Sequence, residues 1–292
     1  MRRISGLTDE QILAYEARIE AATRVGMRAV MDAVADRIAA IQTASVLVAA
    51  DGTEPVSGQE PDVPLEDGLP PGQPYVSPDD LSTIPPAWSS IVAENLLPIA
   101  AEIWLESSGL IHAGMVDAVG APLPSVGSLA AEQYLAQARN TFEEIGDHLW
   151  ATARSELLDG FEAGESIPQL AQRLRESSGI AARTGTLVAR TQVIEASNYG
   201  SIAMARASGL AMQKEWIATP DPRTRPTHIA ADGQRVGLAD PFMVGGYSAD
   251  FPADPSLPPS ERYNCRCTLG YLIPEREARQ VSREVPDPPL PG

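Results

Sequence analysis

One segment decides how this chain can be assembled. Residues 51–86 hold nine prolines, four glycines, eight acidic residues and no lysine or arginine. Such a stretch has too little apolar surface to offset the entropy lost on ordering, and its like charges repel. It predicts an extended linker, although the same composition would suit an acidic contact arm. The rest of the 292 residues must therefore fold on either side of it.

Before the linker, residues 1–50 read as one long N-terminal helix. Thr8 followed by Gln11 has the spacing of a capping box. Apolar residues recur at Ile12, Tyr15, Ile19, Ala22, Gly26 and onward to Ile41, close to a heptad repeat. A helix of that length would span roughly 60 Å at 1.5 Å per residue. It can close into an intramolecular bundle or lie along another chain, and the length favours the second.

After the linker, residues 87–165 form a helical region. Ala87–Val119 carries an apolar stripe through Trp88, Leu96 and Trp104, with Pro98 expected to kink or break it. Ser128 is placed to cap the next helix, and Gly160 and Gly164 punctuate its end. A short helix is expected from Ser166 to Gly179. A last one should run from about Ala181 to Ser208 and stop at Gly209. His112 and His148 lie on these helices without a second metal-ligating residue nearby, and read as packed or solvated side chains.

From Trp216 to Leu272 the helical period disappears and Pro and Gly become dense. Lys214–Ala218, Gln234–Val236 and Cys265–Leu269 read as short strands, with Asp232-Gly233 as a turn. Residues 273–292 read as a polar, disordered tail. The fold class expected is mainly α: a long N-terminal helix and helical bundle, then a small Pro/Gly-rich α+β C-terminal domain with short strands.

Charge narrows the function classes. The chain carries a formal charge of −17, with −8 of it in residues 51–86. That balance argues against sequence-specific or free duplex nucleic-acid binding, which needs basic surface, and against docking on an anionic membrane. Alanine supplies 42 residues and aromatics only 5%, so the core is thinner than the 43% hydrophobic content implies. Two cysteines exclude a disulfide framework. With no secretory h-region and no membrane-length apolar run, a reducing, cytosol-like compartment is expected.

The chemistry-bearing residues gather in 216–272. Asp221 can accept from the backbone of its own Pro-stiffened turn, and Arg223 and Arg225 offer planar forks for carboxylates. Cys265 and Cys267, two apart, would share one face of a strand. With His228 they can form three ligands of a zinc site, with Asp221 or water as the fourth. Alternatively the thiols are small buried apolar groups, with His228 and Asn264 satisfying backbone polar groups. A Cys265–His228 nucleophile and base pair is a third arrangement. No phosphate loop or paired-carboxylate pocket accompanies it, and no catalytic role is expected.

The run Asp221-Pro-Arg-Thr-Arg-Pro-Thr-His228, then Asp232-Gly233, Phe242, Pro252 and Asn264-Cys265-Arg266-Cys267, resembles the phage Mu F-like minor head protein family, also called phage head morphogenesis proteins. Ala189-Arg190-Thr191-Gln192 and Asn198 look like the same domain's helical lead-in. The family usually shows Arg-Thr-Glu there, and this chain has Gln192. The resemblance covers roughly Ser166 to Leu272. It marks Asp221, Arg225, His228, Asp232, Gly233, Asn264, Cys265, Arg266 and Cys267 as the motif residues. It implies a structural minor capsid protein of a tailed bacteriophage, located in the virion and, during assembly, in the host cytoplasm. Its implied partners are the portal protein and other capsid proteins, in multiple copies around the portal vertex, with a link to DNA packaging or delivery. Some relatives carry a toxin or enzyme module after this domain, and the roughly twenty residues beyond Leu272 leave no room for one. The competing readings are a metal- or thiol-dependent hydrolase of head maturation, and a scaffolding or adaptor protein lost from the mature head.

Overall fold

A computed structural model describes residues 2–26, 28–29, 87–163, 165, 169–170, 172–173 and 178–275. The expected continuation of the first helix over 30–50, the linker 51–86, most of the helix at 166–177 and the tail 276–292 lie outside the described residues. In chain order the elements are β1 (Arg2–Ser5), α1 (9–26), α2 (Ala87–Val119), α3 (Ser128–Glu162), α4 (Ser178–Ala207), β2 (Gln213–Ile217) and α5 (Pro226–Ala231). There follow β3 (Arg235–Gly237), β4 (Phe242–Val244), β5 (Tyr247–Ala249), α6 (Pro259–Arg262) and β6 (Thr268–Ile273). The architecture is mainly α with a small α+β C-terminal part.

Two compact units divide the chain, and neither is continuous in sequence. The first comprises Met1–Thr23, Glu94–Thr141 and Arg183–Gly292; the second comprises Arg24–Ala93 and Phe142–Ala182. In the second unit Leu157 and Leu170 are buried, and a Cβ at Gly160 would stand 2.5 Å from Leu170 Cδ2. Arg173 donates to Glu165 (2.5 and 3.0 Å) and to Glu156 (3.4 Å) beside it.

The first unit holds the site. Its main sheet is antiparallel in the order β1-β6-β2-β3, and β4 pairs with β5 in a separate hairpin. The hairpin turns on Gly245 and Gly246, both at positive φ (59° and 87°), the backbone a tight two-residue turn requires. The expected helix over residues 1–50 begins instead with a strand. Arg2 pairs with Ile273 and Ser5 with Gly270. RRIS has one apolar residue and no alternation to reveal it. Ile4 is buried because Gly114 leaves room: a Cβ there would sit 2.7 Å from Ile4 Cγ2. Arg3 reaches across β6 to Glu215 (3.1 Å), which Arg235 also grips at 3.0 Å. Gly270 permits the crossing, since a Cβ there would lie 3.2 Å from Arg3 Nε.

The capping box at the start of α1 forms. Thr8 N–H donates to Gln11 Oε1 (2.9 Å) and Gln11 N–H to Thr8 Oγ1 (3.3 Å). Ile12, Tyr15 and Ile19 are buried, as their spacing requires. Their burial is within the chain's own first unit, so the first turns of the helix pack on this chain itself. Gln11 and Tyr15 donate to Glu106, and Arg18 forks onto Glu102 at 2.8 and 2.6 Å.

Helix α2 continues through Pro98, so of the expected kink or break the break does not occur. Its partners Leu96, Ala100, Ile103 and Trp104 are fully buried, and that packing outweighs one missing backbone bond. Gly200 on α4 brings the two backbones together: a Cβ there would be 2.5 Å from Trp104 O. Gly179 lies inside α4 rather than ending a helix before it. At the other end Gly209 takes φ +69°, the left-handed stop expected after Ser208.

Two of the three short strands fall within a residue of expectation. The third does not: β6 begins at Thr268, so Cys265 and Cys267 lie in the coil before it. Asp232-Gly233 turns from α5 into β3, with Gly233 at φ +73°, and Asp232 Oδ1 accepts from Ala218 N–H (2.8 Å). No described helix is long and apolar enough to cross a membrane.

Candidate functional site: a buried histidine and two thiols

The coil 263–267 has no ladder to order it, so side chains do so. Arg225 Nη2 donates to Tyr263 O (2.5 Å), and Asn264 N–H donates to Thr191 Oγ1 (3.1 Å). Thr219 Oγ1 donates to Arg266 O (2.5 Å), and Asn198 Nδ2 to Cys267 O (3.2 Å). Asn198 is buried on α4. It also donates to Pro252 O (3.1 Å) and accepts from Leu269 N–H (3.1 Å). One amide thus joins α4 to two separate backbone segments, at Pro252 and at 267–269. Asn264 sits at φ +57°, a conformation asparagine tolerates better than most residues, and its Oδ1 accepts from Arg190 (3.2 Å).

The first turn of the motif is closed by charge. Asp221 Oδ1 accepts from the Arg223 backbone (2.8 Å), and Oδ2 lies 3.0 Å from Arg223 Nη2 and 2.7 Å from Arg266 Nη1. The Arg223 guanidinium first, then its backbone N–H and Arg266, hold this carboxyl well below the usual range. Asp221 is therefore fully engaged and is not among the residues grouped at the thiols.

His228 meets the coil from α5. Pro226 opens that helix, where its missing N–H costs nothing. His228, Cys265 and Cys267 are each about 1% exposed, and their ligating atoms all lie within 4.8 Å of one another. His228 Nδ1 is 3.3 Å from Cys267 Sγ and 3.7 Å from Cys265 Sγ. Both thiols are free. A hydrogen bond from the Cys265 thiol, then His228, lowers Cys267, while that bond and burial raise Cys265. Across the ring, Nε2 lies 3.1 Å from Glu261 Oε2, close enough for charge contact but off the line of a good hydrogen bond. Thr227 Oγ1 donates to the same oxygen (2.8 Å). Trp216 meets the imidazole edge-on with centroids 5.6 Å apart and does the same with Phe242 at 5.5 Å.

Three functional-looking groups carried no signal in the sequence. Glu261 is one. Another is Glu195 on α4, buried against Arg262 at 2.6 Å, with burial raising its carboxyl. The carboxylate here stands three residues after Gln192, which is itself buried. The third is Lys214, the chain's single lysine. Its side chain is fully buried, with Nζ on Asp250 and 5.1 Å from the Phe242 ring. Each pairing joins residues at least 33 apart in sequence, beyond the reach of a local pattern.

Residues 151–270 match the family described as Phage Mu protein F like protein. The thiol–histidine cluster and its coil lie inside that stretch. Among curated relatives, the NAD(+)–arginine ADP-ribosyltransferase EFV of Enterococcus faecalis is 30% identical over 48% of this chain and 30% of that protein. The minor head protein GP7 of Bacillus phage SPP1 is 32% identical over 40% of this chain and 39% of that protein. The uncharacterized protein YqbB of Bacillus subtilis is 27% identical over 44% and 46%. The chain thus spans less than half the length of each. No solved structure matches it.

Proposed function

We propose that this chain is a structural minor capsid protein of a tailed phage, docking at the portal vertex during head assembly and retained in the virion. What supports the reading is the place where the family match falls. It covers a part whose motif side chains are used to hold an irregular coil in one shape. Asp221, Arg225 and Asn198 bind backbone, Asn264 accepts from Arg190, and His228 with both thiols is sealed from solvent. A coil so held presents a fixed surface rather than a substrate cleft. Ile229, Met243, Tyr247 and Tyr263 project from this part, 39–58% exposed. Exposed apolar and aromatic side chains of this kind anchor protein interfaces.

The first unit is a single docking body. β1 and the start of α1 belong to it. The reading is tested by co-expressing the chain with the portal protein of the same phage genome and by mass spectrometry of purified heads. A portal complex weakened at least tenfold by Met243→Asp with Tyr247→Asp is expected. Absence of the chain from heads, together with no portal complex, would refute it.

A further inference from the structure

The thiol–histidine cluster has the dimensions of a metal site. At zinc–nitrogen and zinc–sulfur distances of about 2.0–2.1 and 2.3 Å, a tetrahedron has N···S edges of roughly 3.5 Å. The observed edges are 3.3 and 3.7 Å. Both thiols converge on the one lone pair of Nδ1. A disulfide between cysteines two apart would be strained.

The surroundings fit as well. A metal-binding imidazole usually turns its other nitrogen to a carboxylate, which fixes the tautomer and strengthens the ligand. Here Nε2 faces Glu261, itself held by Thr227. The coil carrying the thiols is fixed at Tyr263, Asn264, Arg266 and Cys267 by side chains from four other places in the fold. The sulfurs are thereby positioned beside Nδ1. Charge balances too: two thiolates neutralise a divalent ion, so the loaded site is as neutral as the buried thiols it replaces.

We propose that His228 Nδ1, Cys265 Sγ and Cys267 Sγ bind one zinc ion, with a water molecule as fourth ligand. Glu261 is the positioning residue behind His228. The ion joins α5 to the coil before β6 and is structural. No described histidine, cysteine or acidic residue adds a fourth ligand to the group, and Asp221 is held by its arginines. On loading, each thiol gives up its proton, so two protons leave for each zinc bound, and no electron moves.

The test uses the full chain, stripped by a chelator under reducing conditions and titrated with cobalt(II). One equivalent should produce a thiolate-to-cobalt charge-transfer band and tetrahedral visible bands. Loading the stripped chain should release two protons per ion, and zinc should then displace the cobalt with no further proton release. Cys267→Ser and His228→Ala should abolish the bands. Glu261→Gln, which keeps all three ligands, should weaken binding roughly 10–100-fold. If a ligand variant does not fold, the wild-type titration and Glu261→Gln decide the matter. If stripping itself unfolds the chain, refolding on stoichiometric zinc supports the site. A folded, metal-free chain giving no band with excess cobalt would overturn the proposal. So would bands undiminished in Cys267→Ser.

Discussion

Asn198→Ala should be the most damaging single change in the first unit that alters neither charge nor an apolar contact. The amide donates to Pro252 O and Cys267 O and accepts from Leu269 N–H, at 3.1–3.2 Å and out of solvent. Removing it orphans two carbonyls and one N–H. An unsatisfied buried group costs about 1–3 kcal/mol. Carbonyls lie at the low end and the N–H in the middle, so the loss should be about 4 kcal/mol. Against a typical total of 5–15 kcal/mol, that is a large share. Urea unfolding followed by tryptophan fluorescence measures it. Asn198→Asp separates the polar account from one of volume. It keeps the acceptor for Leu269 but turns an oxygen toward two carbonyl oxygens. Its folded pKa must then rise above the unfolded value near 3.9. A raised carboxyl makes the folded state the better proton binder, so the deficit is full at neutral pH and shrinks as pH falls toward 4. A loss under about 1 kcal/mol for the alanine variant would refute the reasoning, as would an aspartate variant indifferent to pH.

Gly200→Ala should destabilise by about 1–3 kcal/mol through overpacking on Trp104 O, although alanine is the better helix former by about 1 kcal/mol; thermal unfolding gives the sign. Lys214 should resist amine-reactive reagents in the native state and react on unfolding, because its ammonium is buried on Asp250; peptide mass spectrometry reads this out. Asp221 is held below its usual 3.8, so its contribution is whole above that value and is lost as pH falls through the lower folded one. Asp221→Asn should flatten the acid limb of the stability–pH curve relative to wild type.

Local chemistry was legible in the sequence, and distant pairing was not. The Thr8–Gln11 cap, the stop at Gly209 and the convergence of His228 with two cysteines each follow from residues with fixed conformational or ligating habits. β1 could not be read, because RRIS is a strand only through its pairing with residues 270–273. The shift of β6 to Thr268 has the same origin: its register follows β2 and β1, not its own cysteines. Pro98 shows packing overriding propensity. Glu261 and Glu195 were invisible because a glutamate's role depends on what it meets, and His228 and Arg262 reach them only in the fold.

The pairing of Arg2 with Ile273 has a consequence for synthesis. The edge strand of the main sheet and its partner are 271 positions apart in the chain. At about 5–20 residues per second, β1 must wait roughly 15–55 seconds on the ribosome before β6 emerges. The backbone edge of β1 stays unpaired for that interval. Closure of the main sheet thus waits for β6, and whatever shields the edge of β1 in that interval sets its yield.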